Sequence, residues 1–475
     1  MTTTVQNLIG GRWTGDPVTV RRNPARPGEE VALSPSATPA DVDAALTAAQ
    51  EAQPAWAALP APARGAILLD AADLLRARHA DVAADLVREE GKTLAEAKGE
   101  VRRAIDVLRF FGSLAWKSSG EVLPSGLPAT TIFTRHEPVG VAALITPWNF
   151  PIAIPAWKAA PALVSGNAVV LKPAELTPLS ATHLASALAE AGLPAGVLNV
   201  VHGSGAVAGD ALARDRRVAA LSFTGSTAVG LGLHRTLSER RARVQLEMGG
   251  KNAYLVVDDA DVAAAARIVA AGAFGLTGQA CTATSRVYCT PGVLPAFVEA
   301  LAKESEAFVP GDGLREGTTM GPVVSEQQLD TDVTAIRQAR ADGATVVAGG
   351  ADPDGQLLGP TVLADVAHES GVAKEEIFGP VVAVIGVDSY EEGLARVNDS
   401  PYGLTAGVCT TNLATAHHFA AHAQVGVVKV NRPTTGLDLN VPFGGVKDSS
   451  SNTFREQGTA ALDFYTWSKT VYLGH

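Results

Sequence analysis

At 475 residues, 47% of them hydrophobic, and with a formal net charge of −11, the chain is long enough for two or three domains with sizeable cores. The excess of carboxylates excludes a nucleic-acid binder, which would carry a basic stripe, and no run of like charge is long enough to form an interaction tail. Three cysteines, at 281, 289 and 409, include no CxxC pair and cannot build a disulfide framework, so a reducing, cytoplasmic setting is expected.

The opening residues, Met-Thr-Thr-Thr-Val-Gln-Asn-Leu, place no charged segment ahead of an apolar one and predict no secretion signal. A short strand pair is expected around residues 7–13. Thr38-Pro39-Ala40-Asp41 reads as a helix start, with Thr38 as N-cap and Pro39 in the first helical position. Apolar residues at helical spacing then predict helices over 39–53, 61–90 and 92–113. Residues 118–129 read as a connection and 130–137 as an exposed extended segment. Residues 138–157 carry no charge and have the length of a membrane span. Pro147, Pro151 and Pro155 interrupt them, however, which argues against a regular helix, and irregular backbone facing lipid is prohibitively costly. No membrane association is expected.

From residue 139 the texture becomes alternating strand and helix. Strands are predicted at 139–145, 168–172, 197–201 and 218–223, with helices at 179–191 and 229–237, the βαβ rhythm of a doubly wound sheet. A second series runs from 253 to about 430, with strands near 253–257, 286–290, 345–348, 381–387 and 425–430. The tail, 462–473, returns to a β-rich composition. The fold class is α/β.

Several segments carry chemistry. Gly203-x-Gly205-x-x-Ala208 after a strand fits a loose dinucleotide fingerprint, but it equally describes a tight strand-to-helix turn. Phe223-Thr224-Gly225-Ser226-Thr227 ends a strand and opens a helix, where free N–H groups and the helix dipole would face a pyrophosphate. Lys172 and Glu175 flank the break of a strand at Pro173 and could bind ribose hydroxyls, or form a surface ion pair. Asn149 sits in a rigid apolar loop, where its amide could stabilise an oxyanion or satisfy local turn backbone. Cys289 and Cys409 lie in β-like apolar runs and read as inert. Cys281 follows Gly278-Gln279 among small residues and reads as an accessible thiol, which needs nearby charge to become a nucleophile. Glu247 lies about thirty residues upstream and can act as a base for water. His418 and His422, four apart on an alanine-rich helix with no evident third ligand, read as a solvated helix face, and no metal is expected.

Taken in order, the runs Thr146-Pro147-Trp148-Asn149-Phe150-Pro151, Lys172-Pro173-Ala174-Glu175, Phe223-Thr224-Gly225-Ser226-Thr227, Glu247-Met248-Gly249-Gly250-Lys251, Gly278-Gln279-Ala280-Cys281, Glu376-Ile377-Phe378-Gly379-Pro380 and Pro442-Phe443-Gly444-Gly445-Val446-Lys447 resemble the aldehyde dehydrogenase superfamily along essentially the whole chain. The resemblance implies a Rossmann-type cofactor domain (1–118 and 139–248), an α/β catalytic domain (249–450), and a small bridging β-element (119–138 and 460–475) that pairs subunits as a homodimer or homotetramer. It implies Cys281 as the nucleophile toward a small aldehyde, with Asn149 and the Cys281 N–H as oxyanion hole. Glu247 would be the base for thioester hydrolysis, with Glu456 as a supporting carboxylate. NAD or NADP would lie against Ile145, Thr146, Pro147, Trp148, Lys172, Glu175, Gly225, Ser226, Gly249, Glu376 and Phe378. Glu175 favours NAD by repelling a 2′-phosphate, though a glutamate that swings away permits both.

Within the superfamily, residues 431–438 and 449–465 resemble α-ketoglutaric semialdehyde (2,5-dioxopentanoate) dehydrogenases. Relatives acting on vanillin, benzaldehyde or succinic semialdehyde share this texture. A CoA-acylating enzyme is a rival that Glu247 argues against, because acylating relatives generally lack a base there. A catalytically silent scaffold is a second rival, against which the joint presence of Cys281, Glu247 and Asn149 stands. The tunnel is expected to draw on residues 112–116, Trp157 and 432–437, with Arg103 or Arg432 available either for a substrate carboxylate or for a structural ion pair.

Overall fold

The computed structural model describes residues 2–117 and 120–475, and two seven-stranded sheets organise it. The first has the order Arg243–Glu247, Val218–Thr224, Val141–Ile145, Ala168–Lys172, Leu198–Val200, Asn7–Ile9, Arg12–Thr14. Its first five strands run parallel, and Asn7–Ile9 joins antiparallel at Val200. Strands reading Val-Ala-Ala-Leu-Ile and Ala-Val-Val-Leu-Lys are buried at every position, as a parallel sheet covered on both faces requires. Successive residues serve opposite faces. Ala142, Leu144, Val169 and Leu171 pack into one core with the helices Ala61–Ala77 to Leu94–Leu114, whereas Val141, Ala143, Ala168 and Val170 face a second core under the helix Pro39–Ala58.

The second sheet has the order Thr345–Ala348, Thr361–Ala364, Val381–Gly386, Arg286–Cys289, Ala253–Val256, Thr405–Cys409, Val427–Val430. All pairs are parallel except the first, and two further cores cover its faces. A three-stranded sheet joins Val122–Leu123, Thr130–Pro138 and the C-terminal Thr466–Gly474, the last two in a continuous antiparallel register from Thr466↔Pro138 to Gly474↔Thr130.

The structure departs from the sequence reading at identifiable places. The helix expected over 61–90 breaks at Arg78, which ends Ala61–Ala77 and opens His79–Glu90. Residues 153–157 of the proline-interrupted stretch are helical, within Ala153–Val164, because Pro155 falls in a first turn whose N–H groups have no intrahelical partner anyway. Thr19–Asn23 and Arg26–Ser34 form strands that the sequence reading did not anticipate, as do Arg243–Glu247 and Thr361–Ala364. Ser118 and Ser119 of the expected connection lie outside the described residues, and Val122–Leu123 within it is a strand. No helix of the described residues is long and apolar enough to cross a membrane.

Candidate active site

The register of the first sheet brings the ends of four strands together. Ile145 pairs with Lys172 on one side and Phe223 on the other, and Thr224 pairs with Glu247. The loop after Ile145 carries Asn149. Lys92 Nζ donates to the Asn149 carbonyl at 2.8 Å and to Glu100 Oε2 at 2.5 Å. Glu100 Oε1 in turn accepts from the Ile152 and Ala153 N–H groups at 3.0 and 3.1 Å. This buried pair fixes the loop and caps the helix that follows. The Asn149 amide donates through Nδ2 to the Gln279 carbonyl at 3.0 Å, which sets it beside the Cys281 segment with one N–H still to give.

That segment is bent by three successive left-handed residues, Leu276, Thr277 and Gly278 (φ 56°, 58° and 66°). A Cβ on Gly278 would lie 2.2 Å from the Gly379 carbonyl, so the turn needs glycine. Glu96 Oε1 accepts from the Leu276 N–H at 2.7 Å. Asn252 Nδ2 donates to the carbonyls of Cys281 and Ala283 at 2.7 and 2.8 Å. The Cys281 thiol is pushed up to about 12 by burial and then by the carboxylates of Glu376, Glu247 and Glu456, so at neutral pH it is held protonated. Cys289 and Cys409 are buried in the second sheet.

Glu247 ends its strand 3% exposed, and neither carboxylate oxygen has a well-formed hydrogen bond. Burial first, then the like charge of Glu456, holds its carboxyl well above the usual range, with Lys158 and Arg455 opposing. Glu456 itself accepts from Trp157 Nε1 at 2.8 Å, from Ser222 Oγ at 3.2 Å and from Lys158 Nζ. A Cβ on Gly444 would come within 2.6 Å of Glu247 Oε1.

Two cavities meet at these residues. One, about 320 Å³, is walled by Phe150, Trp157, Leu437 and Phe443, with Arg103 and Gln457. The other, about 280 Å³, is lined by Pro147, Trp148, Asn149, Gly225, Ser226, Gly249, Glu376 and Phe378. Thr224, Glu247, Met248 and Cys281 line both. In the second, Phe378 (φ 66°) meets Trp148 edge to face at 5.4 Å. Glu376 Oε1 accepts the Gly250 N–H at 2.9 Å, and a Cβ on Gly249 would strike Glu376 Oε2 at 2.0 Å. Ser226 sits in N-cap position on the helix Thr227–Glu239 without a capping hydrogen bond, which leaves first-turn N–H groups open toward an anion.

Ile145, Thr146, Lys172 and Glu175 are not in the wall of that cavity. Lys172 Nζ donates to the carbonyls of Pro173 and Gly203 at 2.8 and 3.0 Å, and burial lowers its ammonium to about 8. Glu175 is exposed nearby. The Gly203 turn leads into a helical stretch that Ser204 caps through the Val207 N–H.

Of the residues expected in the tunnel, Trp157 and 435–437 line the first cavity. Residues 112–116 do not, and Trp116 is 78% exposed. Their place is taken by Glu96, Gly99, Glu100 and Arg103, one helical face of Leu94–Leu114. Arg432 is exposed and lines neither cavity, whereas Arg103 lines the first. The sequence reading missed Gln328 and Thr331, on one face of Glu326–Ala341, in the second wall. It also missed Gln457 in the first, and it quoted Phe443 within the Pro442–Lys447 run without placing it at the substrate side. His418 and His422 stack at 4.0 Å, and His418 Nδ1 meets the Tyr390 hydroxyl at 2.8 Å.

Residues 14–471 match the Aldehyde dehydrogenase family. An alpha-ketoglutarate semialdehyde dehydrogenase from Haloferax volcanii is 48% identical over 482 residues, covering 99% of this chain and 99% of the relative. An alpha-ketoglutaric semialdehyde dehydrogenase from Bacillus subtilis is 44% identical over 480 residues, covering 99% and 98%. Among solved structures, the NAD⁺ complex of an aldehyde dehydrogenase from Bacillus cereus superposes with a TM-score of 0.95 at 36% identity, covering 99% of this chain and 96% of that one.

Proposed function

The chain belongs to the aldehyde dehydrogenase family, and from that membership we propose that Cys281, Asn149 and Glu247 carry the oxidation of an aldehyde to a carboxylate. The supporting observation is the wall that the two cavities share, because it offers one thiol and one base to both a substrate side and a cofactor side. The second cavity fits a nicotinamide dinucleotide. Its uncapped helix start suits a pyrophosphate, and the close approach of Gly249 to Glu376 leaves a cradle that any side chain would fill. The bound cofactor supplies the hydride acceptor.

The Cys281 thiol adds across the aldehyde carbonyl: Sγ bonds the carbon, the thiol proton passes to the carbonyl oxygen, and that oxygen takes hydrogen bonds from the free Asn149 amide N–H and the Cys281 N–H as charge develops on it. The resulting thiohemiacetal is oxidised at carbon to a thioester that remains on Cys281. Glu247 then takes a proton from water, whose oxygen bonds the thioester carbon; the C–S bond breaks, the acid leaves, and the Cys281 thiolate takes the proton back from Glu247. Cys281→Ala abolishes turnover on this reading, and a variant that keeps full turnover sinks the covalent route. Glu247→Gln gives a normal first-turnover burst followed by a slow steady state; equal loss of both phases would assign Glu247 another role.

The substrate side is read from the relatives, two of which are named for α-ketoglutaric semialdehyde. The panel that tests this spans ω-carboxylate, aromatic and betaine-type aldehydes. We infer that the adenosine end of the cofactor extends past the wall of the second cavity to Glu175, exposed beside Lys172, whose carboxylate favours NAD with NADP also accepted. Comparing kcat/KM for the two cofactors in the wild type and in Glu175→Gln decides it. Three free cysteines support a cytoplasmic setting, and the three-stranded sheet supports assembly as a homodimer or homotetramer.

A further inference from the structure

The wall of the first cavity carries two donors that aldehyde oxidation itself does not require. Arg103 is the one cationic side chain among its described lining residues. Its Nη2 is held by the Asp438 carbonyl at 3.0 Å and by Gln457 Oε1, which aims the guanidinium and leaves Nε and Nη1 without a protein acceptor among the described residues. Gln457 is 1% exposed, and with its Oε1 turned to Arg103 its Nε2 has no partner. A buried donor without an acceptor is costly, and a ligand that brings the acceptor removes that cost. The carboxylates of Glu96 and Glu100 in the same wall are already engaged. Glu96 bonds Thr93 and the Leu276 N–H, and Glu100 bonds Lys92 and two backbone N–H groups. Neither competes for the guanidinium.

We propose that Arg103 and the Gln457 amide form a recognition site for a 2-oxo carboxylate. The guanidinium takes the carboxylate and Gln457 Nε2 the adjacent oxo oxygen. The apolar rings of Phe150, Trp157 and Phe443 accommodate the methylenes between that group and the aldehyde at Cys281. A planar guanidinium suits a carboxylate in geometry as well as charge. The inference rests on the aldehyde dehydrogenase reading of this cavity and specifies which aldehydes it selects.

Three five-carbon aldehydes test it: α-ketoglutaric semialdehyde, 5-oxopentanoate and pentanal. In the wild type kcat/KM falls in that order, by about tenfold for the lost oxo group and by about a hundredfold for the lost carboxylate. Arg103→Met lowers the preference for 5-oxopentanoate over pentanal by ~30-fold, and Arg103→Lys restores part of it. Gln457→Met removes the preference for the 2-oxo acid over 5-oxopentanoate and leaves the carboxylate preference standing. An unchanged ratio in Arg103→Met overturns the inference, as does a wild type that ranks pentanal with the acids. Failure of the wild type on all three aldehydes overturns the dehydrogenase reading instead. If the variants do not fold, the wild type still decides: 2-oxoglutarate competes with pentanal more strongly than glutarate does, and equal or absent competition overturns the assignment.

Discussion

Glu247 and Cys281 face one difficulty, since both must give up a proton where burial disfavours the charged form. Burial raises both, and the Glu247 carboxylate adds to the Cys281 shift by like charge. A carboxyl held above its ordinary value stays protonated to higher pH, so any step that needs the Glu247 carboxylate is weak on the acid side and strengthens as pH rises through the raised value. Glu456 contributes to that shift while Lys158 opposes it. Glu456→Gln therefore acts twice in the same direction, removing a negative neighbour and freeing the Lys158 ammonium from its partner. The acid limb of the kcat–pH profile should move to lower pH by about one unit. Alkylation of Cys281 by iodoacetamide at pH 8 should quicken, because a repelling charge is gone. An acid limb that stays fixed or moves upward means that Glu456 does not set the base.

At the scale of elements, the oxyanion loop depends on a helix start held from outside itself. Lys92 and Glu100, both nearly inaccessible, bind the Asn149 carbonyl and the first N–H groups of Ala153–Val164. Removing one partner leaves the other charge buried without its nearest counter-charge, Lys92 keeping Glu90 at 3.8 Å, so Lys92→Met and Glu100→Gln should each cost about 3 kcal/mol or more in denaturant unfolding. The double variant should cost well under the sum of the two, since residues in one network couple. Additive losses would show that the pair is not a unit. The helix that carries Glu100 was legible as a span over 92–113, whereas the Thr93 and Glu96 capping box that opens Leu94–Leu114 went unread. Nor was the target of the pair legible, Asn149, 57 residues from Lys92. The same division holds elsewhere. Strands such as Ala168–Lys172, apolar up to the closing lysine and buried throughout, declare themselves, whereas Thr19–Asn23 and Arg26–Ser34, half exposed and polar, show neither alternation nor a buried run. Cys281, Glu247 and Asn149 stood out through their motifs, while Gln457 joins the first cavity only through tertiary packing.

At the scale of the whole molecule, the C-terminal strand Thr466–Gly474 pairs along its full length with Thr130–Pro138, whose opposite edge is met by the short strand Val122–Leu123 and by Glu121, which exchanges hydrogen bonds with Thr134. Trp467, Tyr472 and Leu473 are exposed on it at 41%, 63% and 55%. A long strand with a free edge and apolar side chains is an aggregation hazard unless another surface covers it, and a second copy of the chain is the cover we expect. The strand is also tied to the site. Arg243 Nη1 donates to the carbonyls of Asp463, Phe464 and Thr466 at 3.0, 3.1 and 2.5 Å, and Arg243 opens the strand that ends at Glu247. A tail without its partner would loosen that strand at its far end. Sedimentation at micromolar concentration should accordingly give a dimer or tetramer for the wild type, and Tyr472→Lys with Leu473→Lys should raise the dissociation constant by at least about tenfold through unpaired charge at the contact. In the dissociated variant the steady-state rate should fall further than the first-turnover burst, because Glu247 serves release rather than attack. A monomeric wild type, or an unchanged mass in the variant, would remove the strand from the interface. A burst and steady state lowered equally would cut the link from the tail to Glu247.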